Sequence, residues 1–244
     1  MKAMIFAAGK GTRLRPFTDN HPKALLNISG KTLLQYQIER LKKAGINDIA
    51  INVCHFAEQI INYLKENQNF GCNICISEET DLLNTGGGLK RVKQFFTTDN
   101  QPFIACNVDI LSNINLTELF QKHKNTDIAT LVVSERKTQR YLIFDNASRM
   151  RGWTNIATGE IRPASLQKEV SHTLLAFSGI QILSPSIFDY MDNLGDNFSL
   201  IDLYLNCCQK ETVRGYIPEN YEMMDVGKTE MLSQAEAFAK RIIN

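Results

Sequence analysis

Between Lys2 and Lys23 the chain reads KAMIFAAGKGTRLRPFTDNHPK, which brings Lys10, Arg13, Arg15 and Lys23 into or beside one glycine-bearing turn. Glycine at positions 9 and 11 lets the backbone approach a ligand closely and aim successive N–H groups at phosphate oxygens. Backbone donors plus fixed cations suit a polyanion such as a triphosphate. Two common phosphate motifs fail on spacing. A P-loop needs G-x-x-x-x-G-K-[ST], which the loop lacks. A dinucleotide fingerprint needs a third glycine where Leu14 stands. Taken alone, Gly9-Lys10-Gly11 describes a turn with solvated charges.

Further residues have types and places suited to chemistry. Leu83-Asn84-Thr85-Gly86-Gly87-Gly88 leads into a helix. Three glycines there let a flat ring lie against the backbone, whose N–H and C=O groups can read its edge. The same residues also describe a flexible turn with Thr85 as N-cap. Asp109, in Asn107-Val108-Asp109, and Asp225, in Met224-Asp225-Val226-Gly227, each fall at a predicted strand end. A lone aspartate there is ordinarily a turn former. Two of them could share a Mg²⁺ with substrate phosphates, since that ion takes one or two carboxylates plus phosphate oxygens and water. Phe177-Ser178-Gly179-Ile180 reads as a strand with a bulge at Gly179, and Trp153, the only tryptophan, as a packed ring. The four histidines are scattered, and none is assigned a catalytic role.

The elements that must position these residues follow from hydrophobic spacing. Ala3 to Ala7 suits a buried strand. Leu33, Leu34, Ile38, Leu41 and Ala44 share a helical face that Gly45 ends. Strands are expected over 48–53, 73–77 and 102–106, with helices over 56–64 and 89–96. Strands alternating with helices through Phe120 predict a parallel, doubly wound sheet, which binds ligands beyond the C-terminal ends of its strands. After Asp127 the alternation breaks into strands over 128–134, 141–144, 173–183 and 211–216, a β-rich insertion with turns near Asn146 and Gly159. Helices are expected over 197–207 and 229–243. The apolar stripe of the last one reads as core packing, with a dimer face as the other possibility. The expectation is one domain over 1–244, with a nucleotide-binding half at 1–126 and an acceptor-binding half at 127–244.

The run Ala7-Ala8-Gly9-Lys10-Gly11-Thr12-Arg13-Leu14-Arg15-Pro16, followed by Pro22-Lys23 and Gly30-Lys31, closely resembles the signature of the sugar-1-phosphate nucleotidyltransferases. The Asn-Thr-Gly-Gly-Gly form is most similar to the bacterial N-acetylmuramate 1-phosphate uridylyltransferases and their short relatives. The resemblance implies a three-layer α/β/α Rossmann-like fold with a mixed sheet and a β-rich acceptor lobe. It implies nucleotidyl transfer from a nucleoside triphosphate, UTP or GTP foremost, to a sugar 1-phosphate, with Mg²⁺ and release of pyrophosphate. It places the nucleotide on Ala7, Ala8, Gly9, Lys10, Gly11, Thr12, Arg13, Gly86 and Gly87, and the metal on Asp109 and Asp225. Arg13 would hold the leaving pyrophosphate, and Lys23 would stabilise charge at the transferring phosphorus. Asn84, Asn107 and Gly179 would contact the acceptor.

Two departures from the family pattern bear on that acceptor. Many relatives have glycine directly before the metal aspartate, where this chain has Val108, a β-branched residue that could reshape the acceptor-phosphate pocket. Many carry Glu-Lys-Pro with its lysine on the sugar phosphate. The nearest stretch here is Gly159-Glu160-Ile161-Arg162-Pro163, which makes Arg162 the expected phosphate anchor. Rival readings are cytidylyl transfer to a phosphorylated alcohol or cofactor, and a nucleotide-sugar sensor without turnover, which Val108 favours. A glycosyltransferase would need an Asp-x-Asp motif that Asp109-Ile110-Leu111 does not provide.

Composition sets outer bounds. With 27 Lys+Arg against 26 Asp+Glu among 244 residues, no bulk field draws the chain to nucleic acid or membrane. The six cysteines lack C-x-x-C spacing, which argues for reduced thiols in the cytoplasm rather than a disulfide framework or zinc site. Met4 to Ala8 is too short for a signal peptide and no run reaches transmembrane length. The chain lacks the β-helical extension of bifunctional relatives, so no acyltransferase activity is expected. A monomer or homodimer is expected.

Overall fold

The structure, a computed structural model, describes residues 1–166 and 172–242. Its strands and helices run in the order β1 (Lys2–Phe6), β2 (Asn27–Ile28), β3 (Lys31–Thr32), α1 (Leu33–Lys43), β4 (Asp48–Val53), α2 (Ala57–Glu66), β5 (Asn73–Glu78), α3 (Asn84–Arg91) and α4 (Lys93–Thr97). They continue with β6 (Phe103–Asn107), β7 (Ile110–Ser112), α5 (Leu116–Lys122), β8 (Asp127–Ser134), β9 (Arg140–Phe144), β10 (Met150–Asn155), β11 (Glu160–Arg162) and β12 (Thr173–Leu183). The last elements are α6 (Leu200–Cys207), β13 (Thr212–Tyr216), β14 (Met223–Asp225) and α7 (Leu232–Ile242).

β1 is apolar after Lys2 because both of its faces are covered. Ala3 and Ile5 join one hydrophobic cluster with α1, α2, α5 and α7; Met4 and Phe6 join another with α3, α4 and α6. That arrangement is the three-layer α/β/α packing expected. The sheet is mixed: β1 lies parallel to β4 and β6, and β4 to β5, whereas β12 is antiparallel to β6. The ten-stranded order is β11-β10-β9-β12-β6-β1-β4-β5, with β8 paired to β12 and β13. β12 joins the halves of the chain, since its first residues pair with β9 of the β-rich lobe and its last with β6.

α1 starts where Thr32 caps it, its hydroxyl accepting from the Gln35 N–H at 3.0 Å, and stops at Gly45 with φ +77°. The single helix expected over 89–96 is corrected: α3 begins at Asn84, includes the glycines, and gives way to α4 after Val92. Glycine is a poor helix former, so spacing alone placed the start too late. The stripe of α7 packs Ala235, Phe238 and Ala239 into the core, and its expected last residue, Ile243, lies outside the described residues. Three short strands that periodicity could not register, β7, β11 and β14, prove important for the site. Among the described residues no helix is long and apolar enough to cross a membrane.

Candidate active site

A cleft of about 330 Å³ opens beyond the C-terminal ends of β1 and β6. Ala8, Gly9, Lys10, Gly11, Thr12 and Arg13 form one side, with Lys23, Asn52, Leu82, Asn84, Thr85, Asn107, Val108, Asp109 and Gly227 around it. Of the four cations of the first loop, Lys10, Arg13 and Lys23 line the cleft, while Arg15 pairs with Asp19 at 3.2 Å on the surface. The loop holds its shape because Gly11 adopts φ +63°, and its carbonyl accepts from Leu14 N–H and Thr18 Oγ1, each at 2.8 Å. Around Gly9, by contrast, a Cβ would meet nothing within 4 Å. That side of the loop is open for a ligand.

Lys23 is buried, and its ammonium is ion-paired with Asp109 Oδ2. The second carboxylate arrives by a long-range pairing: β14 lies antiparallel to β7, with Asp225 opposite Ile110, and Val226 N–H donates to the Asp109 carbonyl at 3.0 Å. A Cβ on Gly227 would lie 2.8 Å from Asp225 Oδ1 and 3.3 Å from Arg13 Nη2, so the Arg13 guanidinium and the Asp225 carboxylate flank one point. Asp225 opens to water yet is ringed by protein atoms. That desolvation, then the charge of Asp109, pushes its pKa up, and Lys23, Arg13 and Arg136 act the other way. Asp109 and Asp225 are thus a like-charge pair within electrostatic reach.

The segment carrying Asp109 is fixed from beneath. Gln37 of α1 donates to the carbonyls of Val108 (3.2 Å) and Ile110 (2.8 Å), and Arg40 donates to Ser112 Oγ at 2.7 Å. Val108 is 5% exposed, packs in the hydrophobic cluster, and extends the β1–β6 pairing through its N–H to the Phe6 carbonyl. Its branched side chain therefore sits mostly in the core and only borders the cleft, which weakens the feature that favoured a sensor. Gly179 sits at φ +71° within the register shift between Phe177 and Gln181, and a Cβ there would lie 2.9 Å from Asn107 Nδ2. The bulge is present, and it brings the backbone against the side chain of Asn107.

Four expected site residues, Ala7, Gly86, Gly87 and Arg162, do not line the cleft. The Ala7 N–H is spent on Asn52 Oδ1 at 3.0 Å. Gly86 and Gly87 do not line the cleft: their N–H groups donate to the Phe198 carbonyl at 2.9 and 3.2 Å. Their missing side chains admit the 196–198 segment, since a Cβ would lie 2.3 Å from the Phe198 ring at Gly86 and 2.0 Å from the Asp196 carbonyl oxygen at Gly87. Arg162 also stands outside the cleft, with Nη2 donating to Asp202 Oδ1 at 2.7 Å and its guanidinium 5.9 Å from the Trp153 ring.

Sequence reasoning missed Asn52 and Glu79. Asn52 is buried at the end of β4, bridging Ala7 N–H and Glu79 Oε1 (2.7 Å), while Glu79 Oε2 accepts from Leu83 N–H at 3.1 Å. This chain of bonds ties the first loop to the second glycine stretch. An asparagine interrupting the apolar run Asp48–Val53 was the available clue.

Residues 2–241 match the family described as Nucleotidyl transferase. The N-acetylmuramate alpha-1-phosphate uridylyltransferase of Neisseria meningitidis serogroup B is 32% identical over 241 residues, covering 98% of each chain. The UTP–glucose-1-phosphate uridylyltransferase of Synechocystis sp. is 29% identical over 96% of this chain, which spans only 62% of that relative's length. Among solved structures, a putative glucose-1-phosphate thymidylyltransferase from Bacillus anthracis superposes with a TM-score of 0.81 over 99% of this chain and 96% of its own, at 18% identity. At that identity the likeness speaks for the fold alone.

Proposed function

We propose that this chain, which belongs to the nucleotidyl transferase family, carries a nucleotidyl group from a nucleoside triphosphate to a sugar 1-phosphate and releases pyrophosphate. The observation that carries this reading is the convergence of the open Gly9–Arg13 loop and the Lys23–Asp109 pair on one cleft, with the Asp225 carboxylate beside its edge at Gly227. UTP and GTP are the donors proposed. N-acetylmuramate 1-phosphate leads the acceptors, supported by the Neisseria relative of matching length, ahead of mannose 1-phosphate and glucose 1-phosphate.

The chemistry asks little of side chains beyond position and charge. A sugar 1-phosphate is already anionic at neutral pH, so its oxygen can attack the α-phosphorus with no general base. The site must hold two polyanions in line and offset their repulsion. Lys10 and the backbone around Gly9 and Gly11 serve the triphosphate, Arg13 the departing pyrophosphate, and Lys23 the charge at the transferring phosphorus. Asn107 stands on the acceptor's path, with Gly179 clearing room beside it, while Asn84 and Thr85 serve the nucleotide side of the cleft. Asp109 and Asp225 suit Mg²⁺: the charge of Asp109 adds to the cost of ionising Asp225, which a divalent cation would offset, and no larger group of ligating side chains occurs among the described residues. When bound, the ion neutralises charge on the phosphate oxygens. The residues act as one catalytic unit, with 1–126 holding the nucleotide and 127–244 the acceptor. Six free thiols support a reducing, cytoplasmic setting.

The test is pyrophosphate release with Mg²⁺ across four nucleoside triphosphates and N-acetylmuramate, mannose, glucose and N-acetylglucosamine 1-phosphates. A signal that needs one donor–acceptor pair and disappears in Asp109→Ala is the expected result. Silence across the panel with nucleotide binding intact would overturn it.

A further inference from the structure

The second glycine stretch is stapled along its length to the segment 195–200. Asn84 Nδ2 donates to Asn197 Oδ1 (2.6 Å), Asn197 Nδ2 to the Leu82 carbonyl (3.2 Å), and Leu200 N–H to Thr85 Oγ1 (3.0 Å). With the Gly86 and Gly87 bonds to Phe198, and Lys90 bonded to the Gly195 carbonyl at 2.7 Å, the cleft wall at Leu82, Asn84 and Thr85 takes its position from 195–200. That segment is in turn fixed by the start of α6. Ser199 and Asp202 form a reciprocal capping box, in which Asp202 Oδ2 accepts from Ser199 N–H (3.0 Å) and Oγ (2.6 Å). The other oxygen of the same carboxylate, Oδ1, accepts from Arg162 Nη2. Arg162 ends β11, where it pairs across the ladder with Trp153.

We propose that Arg162 is a positioning residue: through Asp202 and the α6 cap it locks the β-rich lobe to the 195–200 segment and so holds the nucleotide wall of the cleft in its binding shape. The proposal rests on the nucleotidyl transfer reading for what the cleft binds. It replaces a phosphate-anchor role for Arg162, because the guanidinium is committed to Asp202 and lies outside the cleft lining. A capping carboxylate alone needs no guanidinium; here Arg162 adds a connection between strands of the lobe and a cleft wall that share no other ion pair among the described residues.

Two measurements on the full chain test it. The first is amide hydrogen exchange without ligand: in Arg162→Ala, protection over 83–90 and 197–202 should fall at least about fivefold, with 103–107 of β6 unchanged. The second is titration with UTP and GTP, alone and under turnover. Arg162→Ala and Asp202→Ala should each weaken nucleotide binding about tenfold, with the sugar-phosphate KM within about twofold of the parent. The double variant should be no weaker than either single one, and Arg162→Lys should recover most of the loss. A raised KM for the sugar phosphate with unchanged nucleotide affinity would overturn the proposal and restore the anchor role. Unchanged protection over 83–90 would overturn it as well. Because exchange and nucleotide binding need no turnover, failure of the strap is separable from failure of the proposed reaction.

Discussion

Two glycine-rich stretches, Gly9-Lys10-Gly11 and Gly86-Gly87-Gly88, are put to opposite uses. Gly9 faces empty space at the cleft mouth, whereas Gly86 and Gly87 are covered by Phe198 and Asp196 and have given up their N–H groups to a carbonyl. One stretch leaves its surface open for a ligand. The other uses the absence of side chains to bring two chain segments into contact, and the residues ahead of it, Leu82, Asn84 and Thr85, reach the cleft instead. A glycine run in a nucleotide-binding chain is therefore evidence of close approach, with the approaching partner left open.

The comparison is sharpened most by removing the cation that the first loop rests against. Lys23→Ala should lower turnover about 10²–10³-fold, the scale for losing one preorganised charge-stabilising group. A loss under tenfold in pyrophosphate release would show that the open loop works without it. Next, Gly86→Ala and Gly87→Ala should each destabilise the fold by about 3 kcal/mol, at the upper end for overpacking, because backbone and a buried ring stand where the methyl must go. Denaturant midpoints within error of the parent would break the packing account. Gly9→Ala should leave stability within about 0.5 kcal/mol, as the added methyl meets no protein atom. It should still raise the nucleotide KM about tenfold, equivalent to about 1.4 kcal/mol.

The smallest effect is one of pH. Burial works to raise the Asp202 pKa, but the Ser199 hydrogen bonds and Arg162 outweigh it, and the carboxyl is held below its ordinary 3.8. The folded chain thus binds this proton less readily than the unfolded chain. Stability from the pair is complete above that ordinary value and is lost as pH falls through the lowered folded one. Asp202→Asn should be less stable than the parent at neutral pH, and the gap should narrow on acidification below about pH 4. A gap that stays constant would mean the carboxylate charge is not what steadies the second stretch.

Much of the scaffold was legible. Strands β1, β4 and β6 announce themselves as apolar runs because both faces of a central sheet are buried, and α1 carries its stripe and stop in plain view. The short strands were not legible. β7 and β14 have three residues each, too few for any period, and exist because they pair with each other across more than a hundred positions of sequence. Asp225 meets Asp109 only through that pairing. Asn52 and Glu79 looked like ordinary polar residues until their hydrogen bonds joined the two glycine stretches.

The residues themselves determined which groups are available: glycines flanked by cations after a buried strand, two isolated aspartates, an arginine before a proline. These are local facts of side-chain chemistry and backbone freedom. Tertiary structure decided how the groups are spent, turning Arg15 to the surface, Lys23 to Asp109, Gly86 and Gly87 to Phe198, and Arg162 to Asp202. The physical reason is that a donor, a cation or an uncovered backbone has no fixed partner in sequence. Which partner claims it depends on what long-range pairing and packing bring within about 3 Å.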